Sequence, residues 1–286
     1  MLPFWVSIGS LSLCQGVVVF LPRAWSPGRL ERLHGPLWAL IPAISVIAFV
    51  AVGRAAGQAS AQALTYIALV AVPLLAALAL GWVGRPAHPR PALALLVAPM
   101  FALAWADRGG LVGEGAAVAL SALSCVALGA FVAGVTPARW LALGIVAMAV
   151  ADASLVISDL LQRPNDVLNA THPAGGLPRL QAAVFGSAVM GYGDLFVAGV
   201  LGGLLACLPP AMGGAREGAA TRDRSWQLIG ASLVALLAVA FDCLFFVVDE
   251  LPATVPVAGA LVILAWASPR HRVSWVGARP PETAPH

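Results

Sequence analysis

The chain has 286 residues, 60% of them hydrophobic and only 10% charged, with a mean hydropathy of +0.90. Soluble domains carry roughly 25% charged residues, so an ordinary water-soluble fold is excluded. The net charge of +3 comes from 16 arginines, with no lysine, against 13 acidic residues, and it reports membrane topology, not a nucleic-acid partner.

A helix needs roughly 17 to 25 apolar residues to cross a bilayer, because each backbone polar group must be satisfied within the segment. In chain order such runs fall near residues 3–21, 36–53, 61–83, 91–106, 115–134, 140–161, 180–207, 227–248 and 251–267. The expectation is therefore all-α: a polytopic protein of nine transmembrane helices, one domain over residues 1–286, with the lipid bilayer as its surroundings. The first run has no basic residue ahead of it and no small-residue cleavage site, so it reads as a retained helix. The last residues, 268–286, read as a disordered cytoplasmic tail.

If the spans alternate, Arg54, Arg108, Arg163 and Arg179 fall on one side and the other twelve arginines on the opposite side. The positive-inside rule then places the N-terminus outside and the C-terminus in the cytoplasm, with a bacterial plasma membrane as the expected location. Cys14, Cys125, Cys207 and Cys243 each fall within a span and form no CxxC pair, so they read as packing residues, with neither disulfide nor zinc site.

Carboxyls inside the membrane are costly, on the order of 2.5 to 3.5 kcal/mol at a helix centre, and they mark function. Asp152, Asp194 and Asp242 fall well inside consecutive spans. With a rise of about 1.5 Å per residue, Asp152 lies roughly 20 Å from Arg139, and Asp194, in an unbroken helix, lies roughly 22 Å from Arg179. A short loop joins their helices as antiparallel neighbours, so the two carboxyls are expected to face each other. Such a pair shares one proton, the arrangement that aspartic proteolysis requires.

Asp194 ends "GYGD", residues 191–194, a string that also closes a potassium-channel filter. A filter needs a Thr two residues before the first Gly, and Val189 stands there. Taken as helix, the apolar run around it also leaves no room for an extended filter loop. Gly191 and Gly193 clear space beside Asp194 for a neighbouring helix or a substrate backbone. Pro252 and Pro256 break the start of the last span, leaving backbone that is tolerated at membrane depth only where it is buried or lines a wet cavity.

These features resemble the presenilin and signal peptide peptidase family of intramembrane aspartyl proteases. The resemblance covers the nine-helix count and most of residues 140–267: "VADASLV" with Asp152, "GYGDLF" with Asp194, and "DELPATVPVAGAL" with Pro252 and Ala253, in the family's order. Ala151 replaces the family's Tyr before the first Asp, and Thr254 replaces the Leu of Pro-Ala-Leu. The resemblance implies a presenilin-like fold, with helices over about 3–134 as scaffold and those over about 140–267 as the catalytic part. It implies Asp152 and Asp194 as catalytic residues, Gly191, Gly193, Pro252, Ala253 and Thr254 as substrate-binding positions, and transmembrane peptides as substrates. It implies no metal and no organic cofactor. Asp242 has no role in that pattern and is a candidate outer support or an alternative partner for Asp194.

A rival reading starts from Asp152 with Asp159 and Asp242 with Asp249. Each pair is seven residues apart, two turns along one helix face, as a proton-coupled transporter would arrange a relay.

Overall fold

The computed structural model describes residues 2–24, 35–84, 89–208, 225–248 and 251–267. The expected tail at 268–286, Asp249, Glu250 and many of the topology-setting arginines lie outside the described residues.

The described chain is helical apart from one hairpin. Its helices are α1 (Phe4–Phe20), α2 (Ile41–Ala56), α3 (Gln58–Leu78), α4 (Val97–Ala106), α5 (Leu111–Val135), α6 (Ala138–Ile157), α7 (Gln162–Ala170), α8 (Tyr192–Ala206), α9 (Ser225–Asp242) and α10 (Thr254–Ala267). Four helical stretches among the described residues are long and apolar enough to cross a membrane: Gln58–Val83, Leu111–Val135, Ala138–Ile157 and Ser225–Phe246. Five shorter apolar helical stretches fall on the other expected spans, at Phe4–Phe20, Ala43–Ala56, Pro91–Ala106, Tyr192–Ala206 and Thr254–Ala267. Large apolar side chains stand on the outer surface, with Ile157 85%, Val247 82% and Trp266 76% exposed, as a surface made for lipid would have them.

The helix α8 is the hub. From Leu195 to Leu205 every residue is buried, against α5 on one side and α1, α6, α9 and α10 on the others. Its closest crossing is with α5, where small residues let the backbones touch. A Cβ on Gly129 would strike the carbonyl of Gly199, and one on Gly199 the carbonyl of Cys125. On Gly203 it would come within 2.7 Å of the Gly129 oxygen. Association in a membrane rests on such close contact, because lipid leaves little hydrophobic drive between helices.

The expected seventh span is not one helix. Residues Ala182–Phe185 (β1) and Ala188–Gly191 (β2) pair antiparallel, with Phe185 opposite Ala188 and Ala182 opposite Gly191. Gly186 has φ 60° and begins the two-residue turn, as a type II′ hairpin requires. The turn is tied down: Gly186 N–H donates to Glu114 Oε2 at 2.7 Å, Ser187 N–H to Ser7 Oγ at 3.3 Å, and Ser187 Oγ–H to the Leu2 carbonyl at 3.4 Å. Hydropathy could not reveal this, because a buried hairpin and a buried helix use the same apolar residues. The signal present was Gly-Ser between two β-compatible runs.

The fold therefore overturns the depth expected for Asp194. Since β1 and β2 run out and back, Asp194 sits three residues beyond a strand end that is paired with Ala182. The connection before the hairpin also differs from a plain loop, because it contains α7, which packs on α2 and α3.

Candidate active site

Asp194 occupies the third position of α8, whose N-cap is Gly191, in extended conformation at φ −62° and ψ 144°. Its carboxylate turns back toward Gly191. A Cβ on Gly191 would meet Asp194 Oδ2 at 2.9 Å, so glycine makes room for the carboxyl. Gly193 faces α6, where the Met148 methyl lies 3.8 Å from the place a Cβ would take. Here the glycines serve the local shape of the site, while Gly199 and Gly203 further along serve helix packing.

Asp152 lies on the buried stripe of α6 formed by Leu141, Ile145, Met148 and Asp152, and it is 7% exposed. Thr254, fully buried at the first position of α10, donates Oγ1–H to Asp152 Oδ2 at 2.7 Å. Met148 stands one turn before Asp152 on this stripe, so Gly193 of α8 packs on the stretch of α6 that carries Asp152. Each carboxyl thus sits at a helix N-terminus, Asp194 at that of α8 and Asp152 at that of α10, where unpaired N–H groups and the helix dipole favour an anion.

Thr254 is therefore tied to Asp152, while the resemblance made it a substrate-facing position. A Leu there has no donor to offer. Thr254→Val keeps the shape and removes the donor, so turnover is expected to fall about ten- to a hundredfold, with Thr254→Ser restoring most of it; initial rates on a membrane reporter check this.

Pro252 and Ala253 form the non-helical approach to α10, and Pro256 sits in its first turn, where its missing N–H costs nothing. The Ala253 carbonyl accepts a hydrogen bond from Gln15 Nε2 at 2.9 Å, and the same nitrogen lies 3.4 Å from the Asp194 carbonyl. Gln15, on α1 and fully buried, therefore ties the Pro-Ala approach to the α8 helix; sequence reading gave it no role. A lone Gln in an apolar run is the signal that was present. Gln15→Leu leaves those carbonyls without their donor and is expected to destabilise by about 2 kcal/mol, read from thermal unfolding in detergent.

Tyr192 anchors the start of α8: its hydroxyl hydrogen-bonds Ser124 Oγ on α5 at 2.7 Å, and its carbonyl faces Cys125 Sγ at 3.8 Å. Asp242 accepts from Ser12 Oγ at 2.7 Å and belongs to the α1–α9 contact. The relay geometry is lost at Asp159, since α6 ends at Ile157 and Asp159 turns into the left-handed region at φ 54°. Asp249 lies outside the described residues. Of the cysteines, Cys125 is buried and Cys14 half-buried, but Cys207 and Cys243 are exposed, so packing explains only the first two. Among the described residues no three His, Cys, Asp or Glu side chains gather as a metal site would need.

The chain matches no protein-family model, and no curated protein and no solved structure matches it.

Proposed function

We propose that this protein is an intramembrane aspartyl endopeptidase of nine spans and presenilin-like fold, with Asp152 and Asp194 as its dyad. The observation that carries the reading is that Asp152 on α6 is held by Thr254 at the start of α10, while Asp194 stands in the first turn of α8, the helix packed against both α6 and α10. Structural carboxyls are normally matched by cations or neutralised; two on neighbouring helices inside an apolar protein suit proton exchange.

The chemistry follows from the donors. Asp152, which accepts the Thr254 Oγ1–H, takes the part of the ionised partner, and Asp194 that of the proton donor. Asp152 takes a proton from water as the water oxygen attacks the scissile carbonyl carbon, and Asp194 gives its proton to the carbonyl oxygen. On collapse, Asp152 passes its proton to the leaving nitrogen and Asp194 recovers its own from the diol. Gly191, Gly193 and the Pro252–Ala253 backbone border the substrate, a transmembrane peptide such as a residual signal peptide. The N-terminus lies outside and the C-terminus in the cytoplasm.

The test is cleavage of a membrane-embedded reporter by the purified chain in vesicles. Proton flux without cleavage, lost in Asp152→Asn, would support a transporter instead.

A further inference from the structure

A second concave site lies at the far end of the hairpin from the dyad. It encloses about 350 Å³ between the end of α4, the start of α5, the 172–179 loop and β1, within the size range of small-ligand pockets. Its polar lining is Arg108, Glu114, His172 and Arg179. Two guanidiniums and one carboxylate thus line it, and that carboxylate accepts the Gly186 N–H. Arg108 Nη1 donates to the Gly176 carbonyl at 2.5 Å and Arg179 Nη1 to the Asn169 carbonyl at 2.6 Å. These bonds fix both forks in place while leaving each further N–H donors for a ligand.

In an apolar protein a preset pair of arginine forks is an anion site, and its geometry suits a planar carboxylate. Its position points to which one. The start of α5 holds the hairpin turn through Glu114, whereas Ser124 and Cys125 of the same helix contact Tyr192 beside the dyad. Ten residues of helix separate the two levels, roughly 15 Å, a distance that four or five extended residues span. The arginines of this pocket are among the four assigned to the outer side.

We propose that this pocket binds the free C-terminal carboxylate of the peptide that the dyad cleaves. The proposal rests on the protease reading. A residual signal peptide freed by an earlier hydrolysis carries such a carboxylate at the outer surface, and an uncut precursor does not. A peptide held there by its carboxylate reaches Asp152 and Asp194 through its next about four or five residues, extended.

The test uses the full chain carrying Asp194→Asn, in detergent micelles, and a fluorescent apolar signal-peptide-like peptide made as free acid and as amide. The acid is expected to bind about tenfold more tightly than the amide, the scale of one charge-assisted hydrogen bond. Adding Arg179→Gln or Arg108→Gln is expected to bring the ratio close to one, with Arg179→Lys keeping part of it. Equal binding of acid and amide overturns the proposal, and needs no arginine variant to fold. So does an acid preference untouched by either arginine variant. Loss of phosphatidylglycerol binding in Arg179→Gln, with no acid preference, would assign the pocket to a lipid headgroup. The protease reading fails separately: an acid preference in a chain whose unmutated form cleaves no peptide removes the dyad's role and keeps the pocket.

Discussion

Asp152→Asn and Asp194→Asn are each expected to lower cleavage of a membrane-embedded reporter by at least about a thousandfold, with thermal unfolding changed little. Asn keeps the size of the side chain and most of its hydrogen bonds. At position 152 an Asn Oδ1 still accepts from Thr254 Oγ1–H. At position 194 it fits the room that Gly191 leaves beside the carboxyl. What each variant removes is the ability to take or give a proton. The double variant is expected to be no worse than either single one, because the two groups act as a unit. Cleavage surviving in either single variant would remove the dyad. If Asp242→Asn alone abolished cleavage, the assignment would shift to the carboxyl held by Ser12.

Gly129→Ala and Gly199→Ala are expected to be the most damaging small substitutions outside the dyad, each costing about 3 kcal/mol. The added Cβ meets backbone, which cannot rotate away: the Gly199 carbonyl in one case and the Cys125 carbonyl in the other. Thermal unfolding in detergent is expected to fall by roughly 5 to 10 °C. Gly9→Ala is the matched control, since α1 has nothing within 4 Å of a Cβ there. That change is expected to be neutral or slightly stabilising, as Ala is the better helix former. Because α5 carries Ser124 and Cys125 against Tyr192, separating α5 from α8 also displaces Asp194, so activity falls with stability.

Several parts of the site were legible in one dimension. Asp152 and Asp194 stand out because a carboxyl in an apolar run is expensive wherever the run packs. Pro252 and Pro256 announce a helix start because a missing N–H is a property of the residue itself. The stripe that buries Asp152 has a helical period that can be counted. Asp194 was legible as a residue but not as a position. Its place at the start of a helix depends on Gly186 turning the chain and on Glu114 and Ser7 holding that turn. The spacing of Asp152 and Asp159 suggested one face, and the left-handed turn at Asp159 removes it.

Membrane residence and the location of the apolar stretches follow from the sequence alone, because transfer of a residue into lipid depends mainly on that residue and its immediate neighbours. What tertiary structure decided are the pairings. Thr254 donates to a carboxylate 102 residues away, and Gln15 to a carbonyl 238 residues away. Two β-strands and the turn between them replace ten residues of expected helix. A backbone in lipid must satisfy its polar groups somewhere, but hydropathy is blind to whether it does so within one helix or across a hairpin.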